Sequence, residues 1–435
     1  MPQLAIAGGS PVRSSPYPTW PVVSQADVEA VTQAIRDGEW GRMAGSHALD
    51  FEREFAAYQG AEYCLALNSG TSALEIGLLA IGIEPGDEVI LSPYTYIASA
   101  TAILMAGGVP VFVDMDPDTY NIDPSKIEAA ITDRTAAIMP VHFAGLACDM
   151  GAIGEIARRH GLRVIEDAAH VHGGKWNDAG LGTLGDAGAF SFQSSKNLNS
   201  GEGGALLTND REVFARAIDY HDVWTGGLVE RGGDAGGGSF RAGARWDFPF
   251  ACHNFRISSY TAALLRSQLS KLEPQTVTRT ENGKYLIDLI DQTEGLANLR
   301  RDSFATRDSH HLFLLKYKKE SFDGLPREMF VEALKAEGIP ASLGYPRGCH
   351  EQPLFLKPEA YLSRFWPRGP RGEVDIDYAS MSCPNVEYLC RNETVWLPQY
   401  ALLDTSRGME QIVEAADKIR AHVGELASAE VSVSP

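Results

Sequence analysis

The chain has 435 residues, 44% hydrophobic and 22% charged, enough apolar material for two or three packed domains and too much for a disordered, collagen-like or disulfide-scaffold protein. Lys and Arg number 38 against 57 Asp and Glu, a formal charge of −19, so a nucleic-acid backbone or an anionic membrane is repelled at long range. A pocket built from backbone amides still allows a phosphorylated ligand. The six cysteines, at 64, 148, 252, 349, 383 and 390, contain no CxxC pair and read as reduced, buried thiols rather than a zinc site or disulfides. No apolar run approaches the roughly 20 residues of a membrane span, and the N-terminus lacks the basic and apolar regions of a secretory signal. The expectation is a cytoplasmic protein with no metal, nucleic-acid or membrane partner.

In chain order, the proline-rich residues 1–22 read as an extended arm. From residue 60, short apolar runs alternate with helical stretches. Strands are predicted at 63–67, 88–91, 109–113, 136–141 and 162–165, with helices at 71–82, 98–106, 124–131 and 149–160 between them. Gly161 is placed to cap the last of these helices. Apolar strands joined by crossover helices imply an α/β fold with a mostly parallel sheet covered on both faces. Two further strands follow at 188–192 and 205–208. The glycine-rich stretch 225–243 reads as a surface loop or a lid. A long helix from about residue 257, broken or kinked at Pro274, leads into a smaller domain, and the proline-rich 357–388 reads as an insertion within it. The domains expected are the arm 1–22, a large domain 23–274 and a small C-terminal domain 275–435.

In an open parallel sheet, ligands bind beyond the carboxyl ends of the strands. Those ends carry Asn68-Ser69-Gly70-Thr71-Ser72, then Tyr94 and Tyr96, His142, Glu166-Asp167-Ala168-Ala169-His170, and Ser191 to Asn197 with Lys196. Taken singly, each has an ordinary use. The Ser-Gly-Thr-Ser turn serves equally as a helix cap or an anion site. Asp167 could cap a turn, and the tyrosines could be core-edge aromatics. Lys196 is the sharpest feature, because it follows an apolar strand amid small polar residues at the ligand edge. A lysine forming a Schiff base with an aldehyde cofactor needs an acid for the cofactor's ring nitrogen, an aromatic face for the ring and amides for a phosphate. Lys196, Asp167, Tyr96 and the Gly70–Thr71 turn make up that set, and the chemistry they suggest is pyridoxal phosphate.

With these motifs, and with Pro85-Gly-Asp-Glu-Val-Ile90, Pro110-Val-Phe-Val-Asp114 and Gly201-Glu-Gly-Gly204, the chain resembles the DegT/DnrJ/StrS family of pyridoxal-phosphate aminotransferases. That resemblance implies the fold-type I architecture, with pyridoxal 5′-phosphate as cofactor. It implies Lys196 as the Schiff-base lysine and proton shuttle, Asp167 as partner of the pyridine nitrogen, and Tyr96 as the stacking ring, with Tyr94 nearer the substrate. Gly70, Thr71 and Ser191 then contact the phosphate, and His170, where many sugar-nucleotide members carry Gln, faces the cofactor. Asn254 reaches the neighbouring subunit's phosphate, which implies a homodimer with shared sites; His350 and Arg256 line the substrate side. His170, Ala7-Gly-Gly-Ser-Pro-Val12, Trp20-Pro21 and Val395-Trp-Leu-Pro-Gln399 look like the branch containing glutamine:scyllo-inosose aminotransferases and 3-amino-5-hydroxybenzoate synthases. The activity implied is ping-pong amino transfer from glutamine or glutamate to a keto sugar or keto cyclitol. Its alternatives are a dehydratase or aromatising lyase on the same cofactor, and a catalytically silent regulator.

Overall fold

The computed structural model describes residues 3–42, 44–221, 251–357, 368–369, 372–373 and 376–427. Seven strands form the main sheet: β1 (Tyr63–Leu67), β2 (Glu88–Leu91), β3 (Val109–Phe112), β4 (Thr135–Met139), β5 (Arg163–Asp167), β6 (Ala187–Ser191) and β7 (Gly204–Thr208). Their spatial order is β1-β7-β6-β5-β4-β2-β3. Strands β3, β2, β4, β5 and β6 run parallel, and β7 is antiparallel to both of its neighbours. The sheet is therefore α/β and mostly parallel, as the alternation of apolar runs and helices implies.

Strand periodicity explains why these runs are apolar throughout. Along β2, Val89 and Leu91 enter one core while Ile90 enters another on the opposite face. Helix α1 (Gln25–Asp37) and helix α2 (His47–Gln59) precede the sheet, and α3 (Gly70–Ile81) lies against its centre. α3 is hemmed in: a Cβ on Gly77 would come within 2.6 Å of Ile165 and 2.9 Å of Leu206. Helices α4 (Ile97–Met105) and α5 (Met150–His160) cross between strands, and α5 ends at Gly161 with φ of +67°. The helix expected at 124–131 divides into a short α-turn at Pro124–Ile127 and a 3₁₀ turn at Glu128–Ala130.

After α6 (Arg211–His221), helix α7 runs from Ser259 to Ile290. It runs through Pro274 as one continuous helix, so of the break or kink expected there the break does not occur. The amide that proline lacks costs one ladder bond, and burial on both sides of it outweighs that loss. Leu265 and Leu272 pack into the core under β1 and β7, and Leu286 and Ile290 into a second core. That second core belongs to an antiparallel sheet of β8 (Leu296–Ala297), β9 (Leu312–Tyr317) and β10 (Thr394–Pro398), with α8 (Arg327–Ala336) and α9 (Ser406–Ala421).

The small sheet has two employed faces. Phe313, Leu315, Val395 and Leu397 enter its own core, while Leu312, Leu314 and Trp396 turn toward the main sheet, against Tyr94, Phe143 and Tyr345. The N-terminal arm is pinned to the same unit. Glu337 accepts from the backbone amides of Ala5 and Val12, each at 2.9 Å, and is ion-paired at 2.8 Å with buried Lys418. Within the proline-rich stretch, Tyr378 returns to the main sheet, donating to the Pro110 carbonyl at 2.6 Å. The glycine-rich 225–243 and residues 358–367 lie outside the described residues. Cys64, Cys148, Cys349, Cys383 and Cys390 are buried free thiols. No helix there is long and apolar enough to cross a membrane.

Candidate active site

A cavity of about 750 Å³ opens at the carboxyl ends of β1, β5 and β6. Its walls include Gly70, Thr71, Tyr96, Asp167, His170, Ser191 and Lys196. The turn after β1 makes the first wall. Ser69 caps α3 by accepting from the Ser72 amide at 3.1 Å, and Asn68 holds the Ser72 hydroxyl at 2.7 Å. The amides at the start of the helix carry the positive end of its dipole, a setting for an anion. Gly70 is required there: a Cβ would lie 2.7 Å from Ser191 Cβ.

Asp167 is the last residue of β5 and is buried. Its Oδ2 accepts from Ser99 at 2.7 Å, Ser99 is held by Thr95 at 2.8 Å, and its Oδ1 accepts from the Ala169 amide at 3.2 Å. Glu166, one residue earlier, faces the other way, as strand alternation demands. It is fully buried, accepts from the amides of Gly182, Leu184 and Gly185 at 2.7 to 2.8 Å, and meets His142 at 2.8 Å. Lys196 sits in the turn after β6. Burial pushes its ammonium down to about 8, although the Asp167 carboxylate pulls the other way. Tyr96, at the N-cap of α4, keeps 62% of its surface exposed at the cavity, which suits a ring that covers a ligand rather than a core residue.

Three buried histidines surround the lysine. His170 accepts the Ala144 amide at Nδ1, 3.2 Å away, which leaves its hydrogen on Nε2. Its ring lies 4.2 Å from that of His311, centroid to centroid. His311 reaches the Asn197 carbonyl oxygen at 3.3 Å through Nδ1, and Asn197 in turn donates to the Ser309 carbonyl at 2.7 Å. Burial, and then the Lys196 charge, hold His170 well below the usual histidine range; His311 is held low by burial, then by His170 and Lys196. His172 donates to the Ser191 carbonyl at 2.9 Å and is pushed down to about 3, chiefly by burial. All three are neutral near pH 7.

The remaining walls come from far along the chain. Trp20 of the arm donates to the Ser194 carbonyl at 3.0 Å, beside the lysine turn. His311, Tyr345, Trp396, Gln399 and Tyr400 come from the second unit. Gln399 takes two hydrogen bonds on its carbonyl oxygen from Arg279 of α7, at 2.9 and 2.6 Å. Sequence reasoning missed these residues. Trp396 and Gln399 lie in a stretch noted only as a branch resemblance, and His311 and Arg279 have no local motif.

Four sequence-predicted residues do not line this cavity. Tyr94 is buried to 1% exposure beneath it and accepts from Trp396 Nε1 at 3.1 Å; burial raises its hydroxyl well above the ordinary range. His350 is buried in the wall of a separate cavity of about 410 Å³, 3.5 Å from Glu387. Asn254 is exposed on the segment beside the end of β1, where Arg256 bridges to Leu67 and the Phe255 carbonyl accepts from Asn68 at 2.9 Å. Neither Asn254 nor Arg256 lines the cavity of its own chain.

The donor set fits pyridoxal phosphate. A glycine-tight helix start offers amides to a phosphate, a partly desolvated lysine stands ready for an aldehyde, and a buried carboxylate already oriented by Ser99 faces the same space. Comparison with known proteins agrees. A model of the DegT/DnrJ/EryC1/StrS aminotransferase family matches residues 22–368. An L-glutamine:2-deoxy-scyllo-inosose aminotransferase of Streptoalloteichus tenebrarius is 35% identical over 433 residues, covering 97% of this chain and 99% of its own. A 3-amino-5-hydroxybenzoate synthase of Amycolatopsis mediterranei is 34% identical over 392 residues, 89% of this chain and 93% of its own. The crystal structure of a 3-amino-5-hydroxybenzoic acid synthase superposes with a TM-score of 0.80 at 32% identity, covering 96% of this chain and all of that one. The chain belongs to the DegT/DnrJ/EryC1/StrS aminotransferase family and is a pyridoxal-phosphate-dependent aminotransferase of fold-type I architecture.

Proposed function

We propose that the protein transfers the amino group of glutamine to a keto cyclitol of the scyllo-inosose type, in a homodimer whose sites are shared. The observation that carries this reading is the 35% identity, over nearly the whole of both chains, to an L-glutamine:2-deoxy-scyllo-inosose aminotransferase. When bound, the cofactor supplies an electrophilic aldehyde and an electron-withdrawing ring. The amides of Gly70 and Thr71, with the Ser191 hydroxyl, hold its phosphate, and Tyr96 covers the ring. Asp167, fixed by Ser99, keeps a proton on the ring nitrogen. Lys196 Nζ would hold the cofactor through its aldehyde and, once freed, would serve as the base and acid that moves a proton at the amine-bearing carbon of the substrate. His170, neutral and fixed as the Nε2–H tautomer, would offer that N–H to the bound cofactor. Asn254 reaches the phosphate in the partner's site.

The similarity to 3-amino-5-hydroxybenzoate synthases favours a second reading, formation of an aromatic amine. Incubating the holoenzyme with glutamine and 2-deoxy-scyllo-inosose tests the two together. A yellow band that bleaches with glutamine and returns with the ketone, with an aminocyclitol as product, is expected. Bleaching with no recovery on the cyclitol would overturn the acceptor, and an aromatic product from a cyclohexenone acid would select the second reading.

A further inference from the structure

The cavity must admit two reactants in turn, and only the amino donor brings an anion close to the reacting carbon. Among the described residues, the sole cation in the cavity wall is Lys196, which the chemistry occupies, while Asp167 and Glu202 add negative charge. Immediately behind the wall lies Arg279. It is fully buried and is paired with no carboxylate among the described residues; its acceptors are the Gln399 and Gln275 side-chain oxygens, and its Nη1 has no partner. Besides these two amide oxygens it has the Trp20 ring, 5.2 Å from its Cζ, and a buried guanidinium so lightly compensated is costly unless a bound anion helps to balance it.

Gln399 connects that charge to the cavity. A guanidinium only donates, so it fixes Gln399 with the carbonyl oxygen toward Arg279 and the amide NH₂ away from it. Gln399 is itself part of the cavity wall, yet Nε2 is buried with no acceptor among the described residues. A buried donor left unpaired is destabilising by itself, and one polarised by a cation on its own carbonyl is a stronger donor than an ordinary amide.

We propose that Gln399, oriented and polarised by Arg279, is the specificity-determining residue that binds the α-carboxylate of the amino donor. This rests on the aminotransferase reading and names the group that recognises its donor. Gln399 touches substrate; Arg279 acts through it and is a positioning residue. Polyol acceptors lack the carboxylate and depend on this pair less.

The test uses only the first half-reaction, so it does not depend on the identity of the acceptor. Holoenzyme is mixed with glutamine or with 4-aminobutanamide, which is glutamine without its α-carboxylate, and in parallel with glutamate or 4-aminobutanoate. Loss of the yellow band is followed. The wild type is expected to prefer each amino acid over its decarboxylated counterpart by at least about 100-fold. Gln399→Glu keeps a partner for Arg279, and so keeps the fold, but presents a carboxylate to a carboxylate. It should slow the amino acids on the order of 100-fold while changing the decarboxylated amines by less than about threefold. Gln399→Leu should give the same pattern at about tenfold, and Arg279→Lys, which keeps the charge but loses the fork, an intermediate loss of selectivity. Equal slowing of both members of a pair, or no slowing of either, would overturn the assignment. A wild type inert to both amino acids would overturn the donor reading along with it.

Discussion

The chemistry proposed for Lys196 follows from a setting in which a charged amine is expensive. Burial brings its ammonium from 10.5 to about 8. Its charged form therefore costs stability in full below about pH 8, and the cost disappears as the pH rises past the unfolded value near 10.5. The free amine captures an aldehyde, so capture of pyridoxal phosphate by apoprotein should accelerate with pH and level off with a midpoint near 8; stopped-flow absorbance reads this, and a midpoint near 10 would show an unperturbed lysine. Lys196→Ala should cut turnover by at least 10⁴-fold and leave cofactor bound without the yellow imine band. The sequence made Lys196, Asp167 and the Gly70–Thr71 turn legible because each stands at the end of an apolar strand, where topology alone says a ligand sits. It did not separate Tyr94 from Tyr96: two residues apart on a turn, one is driven into the seam under Trp396 and the other out to the cavity. Nor could it find Gln399, whose role depends on Arg279, 120 residues earlier in the chain.

At the scale of elements, the contact between the start of α3 and the end of β6 sets the end of the cavity proposed for the phosphate. Gly70→Ala would put its Cβ against Ser191 backbone and side chain, at 3.1 and 2.7 Å, and force the two apart. Affinity for pyridoxal phosphate is expected to fall about tenfold, roughly 1.4 kcal/mol, by titration. Affinity for pyridoxal, which lacks the phosphate, should hardly change; equal loss of both would point to general damage. On the other side of β5, Glu166 holds the 182–185 turn through three amides and His142. Removing a buried acceptor of that kind costs about 3–5 kcal/mol, so Glu166→Ala should lower the chemical-denaturation stability by that order. Glu166 and Asp167 are neighbours in sequence with opposite duties, and only strand alternation, which sequence reading placed a residue or two early at this strand, tells them apart. The unbroken passage of α7 through Pro274 was illegible for a different reason: it depends on two cores gripping one helix from both sides.

For the whole molecule, Asn254 lies near the end of β1, beside the proposed phosphate site but outside its own cavity, as a residue serving a partner's site would. Lys196→Ala and Asn254→Ala proteins, each impaired alone, should regain activity when unfolded and refolded together, because a mixed dimer rebuilds one intact site from Lys196 of one chain and Asn254 of the other. Absence of recovery, with mixed dimers verified by mass spectrometry, would make the sites independent. The small sheet adds a further property. The groups proposed for chemistry hang from the main sheet, whereas Trp396, Gln399 and Tyr400 hang from a unit with its own core, packed on the main one across the Tyr94–Trp396 seam. For an engineer this is a convenient division of labour. A combinatorial library confined to Gln399 and Tyr400, in the turn after β10, would resculpt what the enzyme accepts without substituting a core residue of β10 or of the main sheet, and variants could be screened simply by colour, since clones that still hold the cofactor on Lys196 should purify yellow.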